Sequence, residues 1–231
     1  MLEPVTTLRY SFWMEIAQNF APHQSLAKQL LPHAVGATDD GSHDLSHILR
    51  VWKNVQAIVK TEGGDGLVLA AATLLHDCVD VPKDSPLRSS ASRLAAEKAF
   101  KTLIELGWCQ SAADKVAHAI EAHSFSAKVD PTTLEAKILQ DADRLDAIGH
   151  TGIARCFYVS GRLGRALYDP LDPSAAHRDL DDMSYAIDHF KTKLLRLSGS
   201  FQTTAGNAFA AQRHQVLEEF MTGFLAEVRS S

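Results

Sequence analysis

The chain has 231 residues, 45% of them hydrophobic and 22% charged, which is the composition of a globular protein with a sizeable core. Its formal net charge of -5 and pI near 6.1 argue against a broad nucleic-acid-binding surface, but they are compatible with a local basic pocket for a phosphate. No apolar stretch reaches the roughly 18 residues that a membrane-spanning helix needs, and the first residues lack the pattern of a signal peptide.

Helical periodicity runs along most of the chain and predicts one all-α domain over residues 1–231. Apolar residues recur at helical spacing within residues 12–20, 48–59, 94–104, 116–120 and 183–197, and a continuous apolar run covers 67–75. Gly107 and Gly199 predict the ends of two helices, and a last helix is predicted over about 203–227. Residues 160–182 contain three Gly- or Pro-rich breaks and predict a long surface loop, which at this length is often functional, as in a lid.

The dipeptide His76-Asp77 ends the apolar run of residues 67–75. Burying an imidazole and a carboxylate beside such a run is costly unless they are paired or bound to a metal. With His47 upstream and Asp143 downstream, three helical segments supply two imidazoles and two carboxylates. This mixed set suits a borderline-to-hard divalent metal such as Mn, Fe or Co. The set indicates metal-assisted hydrolysis of a phosphate ester or anhydride.

The histidines also have simpler interpretations. His47 lies at the margin of an apolar stripe with Arg50 on its face, but it also fits a polar helix face with solvated histidines. The pair His76-Asp77 also fits a buried structural ion pair at a helix end. His123 ends another helix, where it fits a phosphate contact, a second-metal ligand or a solvated helix end equally well.

Asp143 and Asp146 share one face of a predicted helix. Their repulsion is unfavourable unless a cation or Arg144 offsets it. The alternative is a solvated acidic face. Because Leu139 and Leu145 belong to the adjoining buried face, at least one aspartate of this segment is expected to approach the core.

Four stretches carry a more specific pattern. They are Leu74-Leu-His-Asp-Cys-Val-Asp-Val-Pro-Lys83, His123-Ser-Phe-Ser126, Asp141-Ala-Asp-Arg-Leu-Asp-Ala-Ile-Gly149 and Asp188-His-Phe-Lys-Thr-Lys-Leu-Leu195. With a histidine about thirty residues before His76-Asp77, they resemble a bacterial subfamily of the HD-domain metal-dependent phosphohydrolase superfamily. Some members of that subfamily are nucleoside triphosphate pyrophosphohydrolases. The resemblance covers roughly residues 40–225 and implies a helical bundle with an HD core over about 40–150 and C-terminal helices over about 180–229.

The resemblance also implies roles for individual residues. The four metal-ligand positions fall on His47, His76, Asp77 and Asp143. Manganese is the expected ion, with Fe, Co, Ni and Mg as alternatives, and it would activate a water molecule. Asp80 takes the acidic position that orders this water or shuttles its proton in related nucleotidases, many of which carry Glu there. His150 departs from the family, in which a small residue is expected after Gly149.

Substrate binding requires cations that neutralise the phosphoryl oxygens. Lys83 is the first candidate, Arg50 the second and Lys193 the third, with His123 as a further contact. Two lysines beyond the metal exceed the needs of a monophosphate and favour a polyphosphate tail, although both also fit solvated surface groups. The acidic net charge favours a free nucleotide. We therefore expect a nucleoside triphosphate to be cut to monophosphate and pyrophosphate.

Other functions remain open at this stage. A nucleotidase or another phosphomonoesterase or phosphodiesterase uses the same chemistry, and a non-catalytic nucleotide-sensing module uses the same fold. A di-iron oxygenase needs additional ligands, which His43, His118 and His123 can provide. The scattered and odd-numbered Cys78, Cys109 and Cys156 predict reduced thiols in a cytoplasmic protein. No nucleic-acid or membrane partner is expected, and a homodimer is left open.

Overall fold

The apolar stripes of the sequence fold into α-helices. In the computed structural model, residues 12–34, 45–79, 81, 88–124 and 127–229 are described. The helices are α1 (described over 12–18), α2 (Gln24–Ala34), α3 (Leu45–Glu62), α4 (Gly66–Leu75), α5 (Ala91–Glu105), α6 (Gln110–His123), α7 (Leu134–Asp146), α8 (Gly149–Arg162), α9 (Asp188–Thr192) and α10 (Thr204–Arg229), with 3-10 segments at Arg88–Ser90 and Leu194–Ser200.

The predicted all-α class is confirmed. Over the ranges given above there is no β-strand, and one isolated bridge joins Ala166 to Tyr185. Among the same residues, no helix combines the length and the apolar character needed to cross a bilayer. The chain divides into two compact units, Met1–Ala142 and Asp143–Ser231. The prediction of one domain over the whole chain stays a prediction.

The first unit is organised around α4. Asp65 caps this helix by accepting hydrogen bonds from the backbone N–H groups of Leu67 and Val68 at 3.0 and 3.3 Å. All residues from 68 to 75 are buried, because α4 packs against α2, α3, α5 and α6. A helix that is apolar all round belongs in the core. The C-terminal end of α4 therefore delivers the residues that follow it into the interior of this unit.

Helix α5 ends close to Gly107, where the sequence predicts a helix end. Gly107 follows the helix with a φ of +86° and its N–H donates to the carbonyl of Ile104 at 2.9 Å. This left-handed conformation is favourable for glycine and satisfies a carbonyl at the helix end. The chain then turns into α6, which packs along α5.

In the second unit, α8, α9 and α10 meet in a cluster of phenylalanine rings. The ring centroids of Phe157 and Phe220 lie 5.8 Å apart, and those of Phe190 and Phe220 lie 5.5 Å apart in a stacked arrangement. Phe224 stacks on Phe220 at 5.7 Å. Such aromatic pairs contribute beyond their buried area. They fix α9, which forms the first part of the stretch Asp188–Leu195, within this unit.

The prediction of one helix over residues 183–197 is wrong at its start and also after Thr192, where α9 ends and a separate 3-10 segment, Leu194–Ser200, follows. The helix begins only at Asp188, and Met183 is 72% exposed. A carboxylate oxygen of Asp181 accepts hydrogen bonds from the N–H groups of Met183 and Ser184, which forms a turn that competes with a helix. The backbone of Ala166 also pairs with this segment.

The predicted surface loop is present, but its residues are held by many polar contacts. Residues 163–187 lie outside helices. The Arg178 guanidinium binds Asp188 through two hydrogen bonds of 2.5 and 3.0 Å and lies 3.2 Å from a carboxylate oxygen of Asp169. It also stacks over the Tyr185 ring at 4.5 Å. Since Asp188 is buried, the bidentate pair satisfies a charge that would otherwise be costly there.

Candidate metal centre

Three imidazoles surround Asp77 in the interior of the first unit. His76 is the C-cap residue of α4 and is fully buried, and Asp77 follows it with a side chain that is 30% exposed. His47 is buried on α3, and His123 is the buried last residue of α6. Both helices pack against α4, which explains the convergence. We call these four residues the His–Asp cluster.

The distances within the His–Asp cluster are short. The Nε2 atoms of His47 and His76 lie 3.1 Å apart. One carboxylate oxygen of Asp77, Oδ2, lies 3.8 Å from the Nε2 atom of His47 and 3.6 Å from that of His76. The other oxygen, Oδ1, lies 3.8 Å from the Nε2 atom of His123. All three rings therefore present the same nitrogen to one carboxylate.

Backbone carbonyls fix which nitrogen of two rings carries the proton. The Nδ1 atom of His76 lies 2.8 Å from the carbonyl oxygen of Thr73, and that of His123 lies 2.6 Å from the carbonyl oxygen of Ile120. A carbonyl oxygen only accepts hydrogen bonds, so each Nδ1 atom must donate. In the neutral imidazole the Nε2 atom then carries the lone pair. This arrangement is usual for metal-ligating histidines.

The cluster fits a bound cation. Buried lone pairs of His76 and His123 that face a carboxylate are unfavourable unless a proton or a metal ion offsets the negative potential. Two nitrogen ligands at a right angle, each about 2.1 Å from one ion, would be about 3.0 Å apart. The observed 3.1 Å between the Nε2 atoms of His47 and His76 agrees with that spacing. A hydrogen bond donated by Nε2 of His47 accounts for the same distance without an ion.

His76, Asp77 and His123 each offer one ligand atom, and these three atoms lie within 4.8 Å of one another. Such a group could hold one metal ion. The sequence left His123 open between three roles. Its burial makes the interpretation as a solvated helix end wrong. The amide of Gln140 on α7 donates to the carbonyl of Ala122 at 2.7 Å and so fixes the helix end that carries His123.

Asp143 is the first residue of the second unit, and α7 runs without a break from the first unit into it. The preceding residue, Ala142, accepts a 2.9 Å hydrogen bond from the side chain of Asn54. Asn54 lies two turns after His47 and on the same face of α3. The carboxylate of Asp143 is half-buried, while its neighbours Asp141 and Asp146 are buried, as expected for this segment. The role of Asp143 as a ligand stays a prediction.

The residues predicted to bind the substrate lie in different parts of the chain. Arg50 is half-buried on α3, where its guanidinium donates to the Ser46 hydroxyl at 2.7 Å. Lys193 is exposed in the second unit, directly after α9. Asp80 and Lys83 lie outside the described residues, so their predicted roles stay predictions.

Of the three additional histidines considered for a di-iron site, His123 belongs to the His–Asp cluster, whereas His118 is engaged by Thr132. His118 accepts hydrogen bonds through Nε2 from the backbone N–H and the hydroxyl of Thr132, at 3.1 and 2.9 Å. That nitrogen is therefore engaged in fixing the 127–133 connection. His43 lies outside the described residues, and His150 is exposed on α8.

A contact that the sequence did not reveal holds the turn after the cluster. The carbonyl of Cys78 accepts a 2.7 Å hydrogen bond from the ammonium group of Lys98 on α5, and the Cys78 thiol donates to the carbonyl of Ala95 at 3.6 Å. Burial raises the pKa of Cys78 to about 11, so the thiol stays protonated as this contact requires. Lys98 and Ala95 are one turn apart, and no sequence pattern links them to residue 78.

We predict that Lys98→Met weakens metal binding without unfolding the protein. Loss of the hydrogen bond to Cys78 frees the residue next to Asp77, and changes around metal ligands typically cost roughly tenfold or more in affinity. Metal competition with a chromophoric chelator measures this effect, and Lys98→Arg should retain most of the affinity. Lys101→Met, on an exposed site of the same helix, is the matched control. Equal metal affinities for Lys98→Met and Lys101→Met would show that the anchor has no role in the site.

Comparisons with known proteins identify the relatives of this chain. The HD domain family matches residues 44–148. YpgQ of Bacillus subtilis is 34% identical over 189 residues, which cover 80% of this chain and 84% of YpgQ. An HD-superfamily hydrolase from Bacillus thuringiensis has a similar structure, with a TM-score of 0.68, 31% identity, and coverage of 90% of this chain and 99% of that one. The crystal structure of Bacillus subtilis YpgQ in complex with ADP matches with a TM-score of 0.63, 32% identity, and coverage of 82% and 91%.

Proposed function

Because this chain belongs to the HD-domain family of metal-dependent phosphohydrolases, we propose that it cleaves nucleoside triphosphates to the monophosphate and pyrophosphate. The observation that carries the proposal is the convergence of three Nε2 atoms on the carboxylate of Asp77. Such a set of nitrogen and oxygen donors is suited to a divalent ion at a hydrolytic site.

The ligands that we propose are His47, His76, Asp77 and Asp143. Manganese is the ion that we expect, with Fe, Co, Ni or Mg as alternatives. When bound, the ion supplies Lewis-acid stabilisation of phosphoryl oxygens and lowers the pKa of water. Asp77 is partly exposed, whereas the histidines around it are buried, so phosphate can approach from the side of its carboxylate.

The neighbouring residues have separate roles in this proposal. Asp80 orders the attacking water and accepts its proton. His123 contacts a phosphoryl oxygen, and because its Nδ1 atom already donates to Ile120, this contact requires a protonated Nε2 atom. As a ligand of a second ion, His123 would instead be neutral. The number of metal ions bound per chain separates these two roles.

Two observations support a nucleotide as the substrate. Bacillus subtilis YpgQ, 34% identical to this chain, has been crystallised with ADP. The net charge of -5 disfavours a nucleic acid, while Lys83, Arg50 and Lys193 supply local cations for a polyphosphate tail. We also propose that the protein is cytoplasmic and has no nucleic-acid or membrane partner. A homodimer stays an open alternative.

The test is product identification with manganese-loaded protein and a panel of nucleoside mono-, di- and triphosphates. We expect one pyrophosphate and one monophosphate per triphosphate. Lys83→Ala and Lys193→Ala should each raise KM for triphosphates by roughly tenfold, the scale of one charge-assisted hydrogen bond. Inorganic phosphate released from monophosphates alone would make the protein a nucleotidase, and cleavage of other esters would identify another phosphoesterase. Metal binding without turnover of any substrate would identify a nucleotide-sensing module.

A further inference from the structure

A cationic region of the second unit lies outside the His–Asp cluster. It consists of Arg165, which follows α8, Asp182 in the long loop, His189 on α9 and Lys193 after α9. We call these four residues the basic corner. One carboxylate oxygen of Asp182 lies 2.8 Å from the Nδ1 atom of His189 and accepts a 2.9 Å hydrogen bond from the Thr192 hydroxyl. The carboxylate is therefore engaged by α9 itself.

The backbone brings Arg165 near the segment that contains Asp182. The N–H of Ala166 donates to the carbonyl of Ser184 at 3.0 Å, which sets residue 165 beside residues 182–184. The Arg165 guanidinium lies 3.4 Å from the sulfur of Met183. A thioether is a weak acceptor, and over the described residues no carboxylate lies within salt-bridge distance of this half-buried guanidinium. Most of its donors are therefore available to an anion.

The basic corner contains more basic than acidic side chains. Arg165 and Lys193 are two permanent cations, and Asp182 is one carboxylate. Burial lowers the pKa of His189, and Lys193 and Arg165 lower it further against the opposing effect of Asp182, so this ring adds no positive charge near neutral pH. Lys193 and Arg165 also lie near enough to Cys156 to act on its pKa, which burial raises to about 11. Because Ala166 pairs with Ser184 and Asp182 is hydrogen-bonded to His189 and Thr192, the segments that carry Arg165 and Lys193 lie beside one another.

We propose that Arg165 and Lys193 form a binding site for polyphosphate oxyanions beside the pair of His189 and Asp182. A guanidinium with several uncommitted donors binds phosphoryl oxygens in a bidentate manner, and a lysine adds a point charge. The two cations belong to separate segments, so a ligand with several phosphoryl groups engages both, whereas a single phosphate engages one. The nucleotide substrate and free inorganic polyphosphate both present this chemistry.

The first test measures binding of inorganic tripolyphosphate by calorimetry in the presence of EDTA. The chelator removes the contribution of the metal centre, so the result does not depend on hydrolysis. We expect saturable binding that Arg165→Ala and Lys193→Ala each weaken about tenfold. Arg162→Ala, three residues earlier on α8 and placed over the Tyr158 ring, should bind like the wild type. Weaker binding of inorganic phosphate than of tripolyphosphate is expected.

Absence of tripolyphosphate binding to the wild-type chain, or equal binding by Arg165→Ala and Arg162→Ala, would overturn the proposal. Circular dichroism verifies that both variants are folded, and Arg165→Gln replaces Arg165→Ala if the latter is not. A second measurement identifies the source of the ligand. A rise in KM for a nucleoside triphosphate with unchanged kcat in Arg165→Ala supports the substrate tail. Lost tripolyphosphate binding with unchanged KM supports free polyphosphate at the same site.

Discussion

Replacement of Asp77 by alanine is expected to abolish both metal retention and hydrolysis, with the helical content largely preserved. Its two carboxylate oxygens face three Nε2 atoms at 3.6 to 3.8 Å, so no other side chain of the cluster substitutes for it. The fold does not depend on this carboxylate, because α4 is held by its buried residues 68–75. Metal content after gel filtration, phosphohydrolase activity and far-ultraviolet circular dichroism measure the three quantities.

His76→Ala should also abolish metal retention and hydrolysis, because the proposed site needs its nitrogen ligand as much as the carboxylate of Asp77. Asp114→Ala changes an exposed aspartate on α6 and is the matched control, which should retain wild-type metal content. Full activity of Asp77→Ala would disprove the metal centre. A protein that loses its helicity in both His76→Ala and Asp77→Ala would instead identify the pair as the structural ion pair that the sequence also allowed.

The positions of His47 and His76 in the fold follow from local patterns in the sequence. The apolar run of residues 67–75 could only be a core element, and it became the central helix α4. Its polar ending accordingly lies at the edge of the core, with His76 buried and Asp77 partly exposed. The placement of His47 at the margin of an apolar stripe was likewise readable from spacing alone, and the residue is buried.

The contacts that the sequence missed join residues far apart in the chain. Lys98 binds Cys78 across 20 residues, Gln140 binds Ala122 across 18 and Asn54 binds Ala142 across 88. Periodicity reports only on neighbours within a few turns, so such pairs leave no trace in it. These contacts nevertheless position the segments that carry the cluster.

The incorrect prediction at residues 183–187 has a related cause. Met183 and Ile187 continue the helical spacing of α9, and this spacing alone predicted a longer helix. The short hydrogen bonds of Asp181 to the N–H groups of Met183 and Ser184 stabilise a turn instead. The backbone of Ala166 also hydrogen-bonds to Ser184 and Ala186, so contacts with a distant part of the chain decided the conformation.

Replacement of Asp80 by asparagine should lower kcat by roughly 10²-fold and leave metal binding intact. Asn keeps the size of the side chain but cannot take a proton from water. Its neighbours in sequence, Cys78 and Val81, are both buried, and Cys78 is anchored by Lys98. Because these anchors are untouched by the substitution, the fold of the segment should not change.

Asp80→Glu separates a catalytic role from a structural one. Many related nucleotidases carry Glu at the matching position, so this variant should recover a substantial part of kcat that Asp80→Asn loses. Steady-state kinetics with manganese, together with metal content, provide the measurement. Loss of metal in Asp80→Asn would make Asp80 a ligand or a structural partner, and a kcat near the wild-type value would exclude it from proton transfer. If kcat falls in Asp80→Asn and recovers in Asp80→Glu while the metal content stays unchanged, residue 80 must supply a carboxylate that acts on the attacking water.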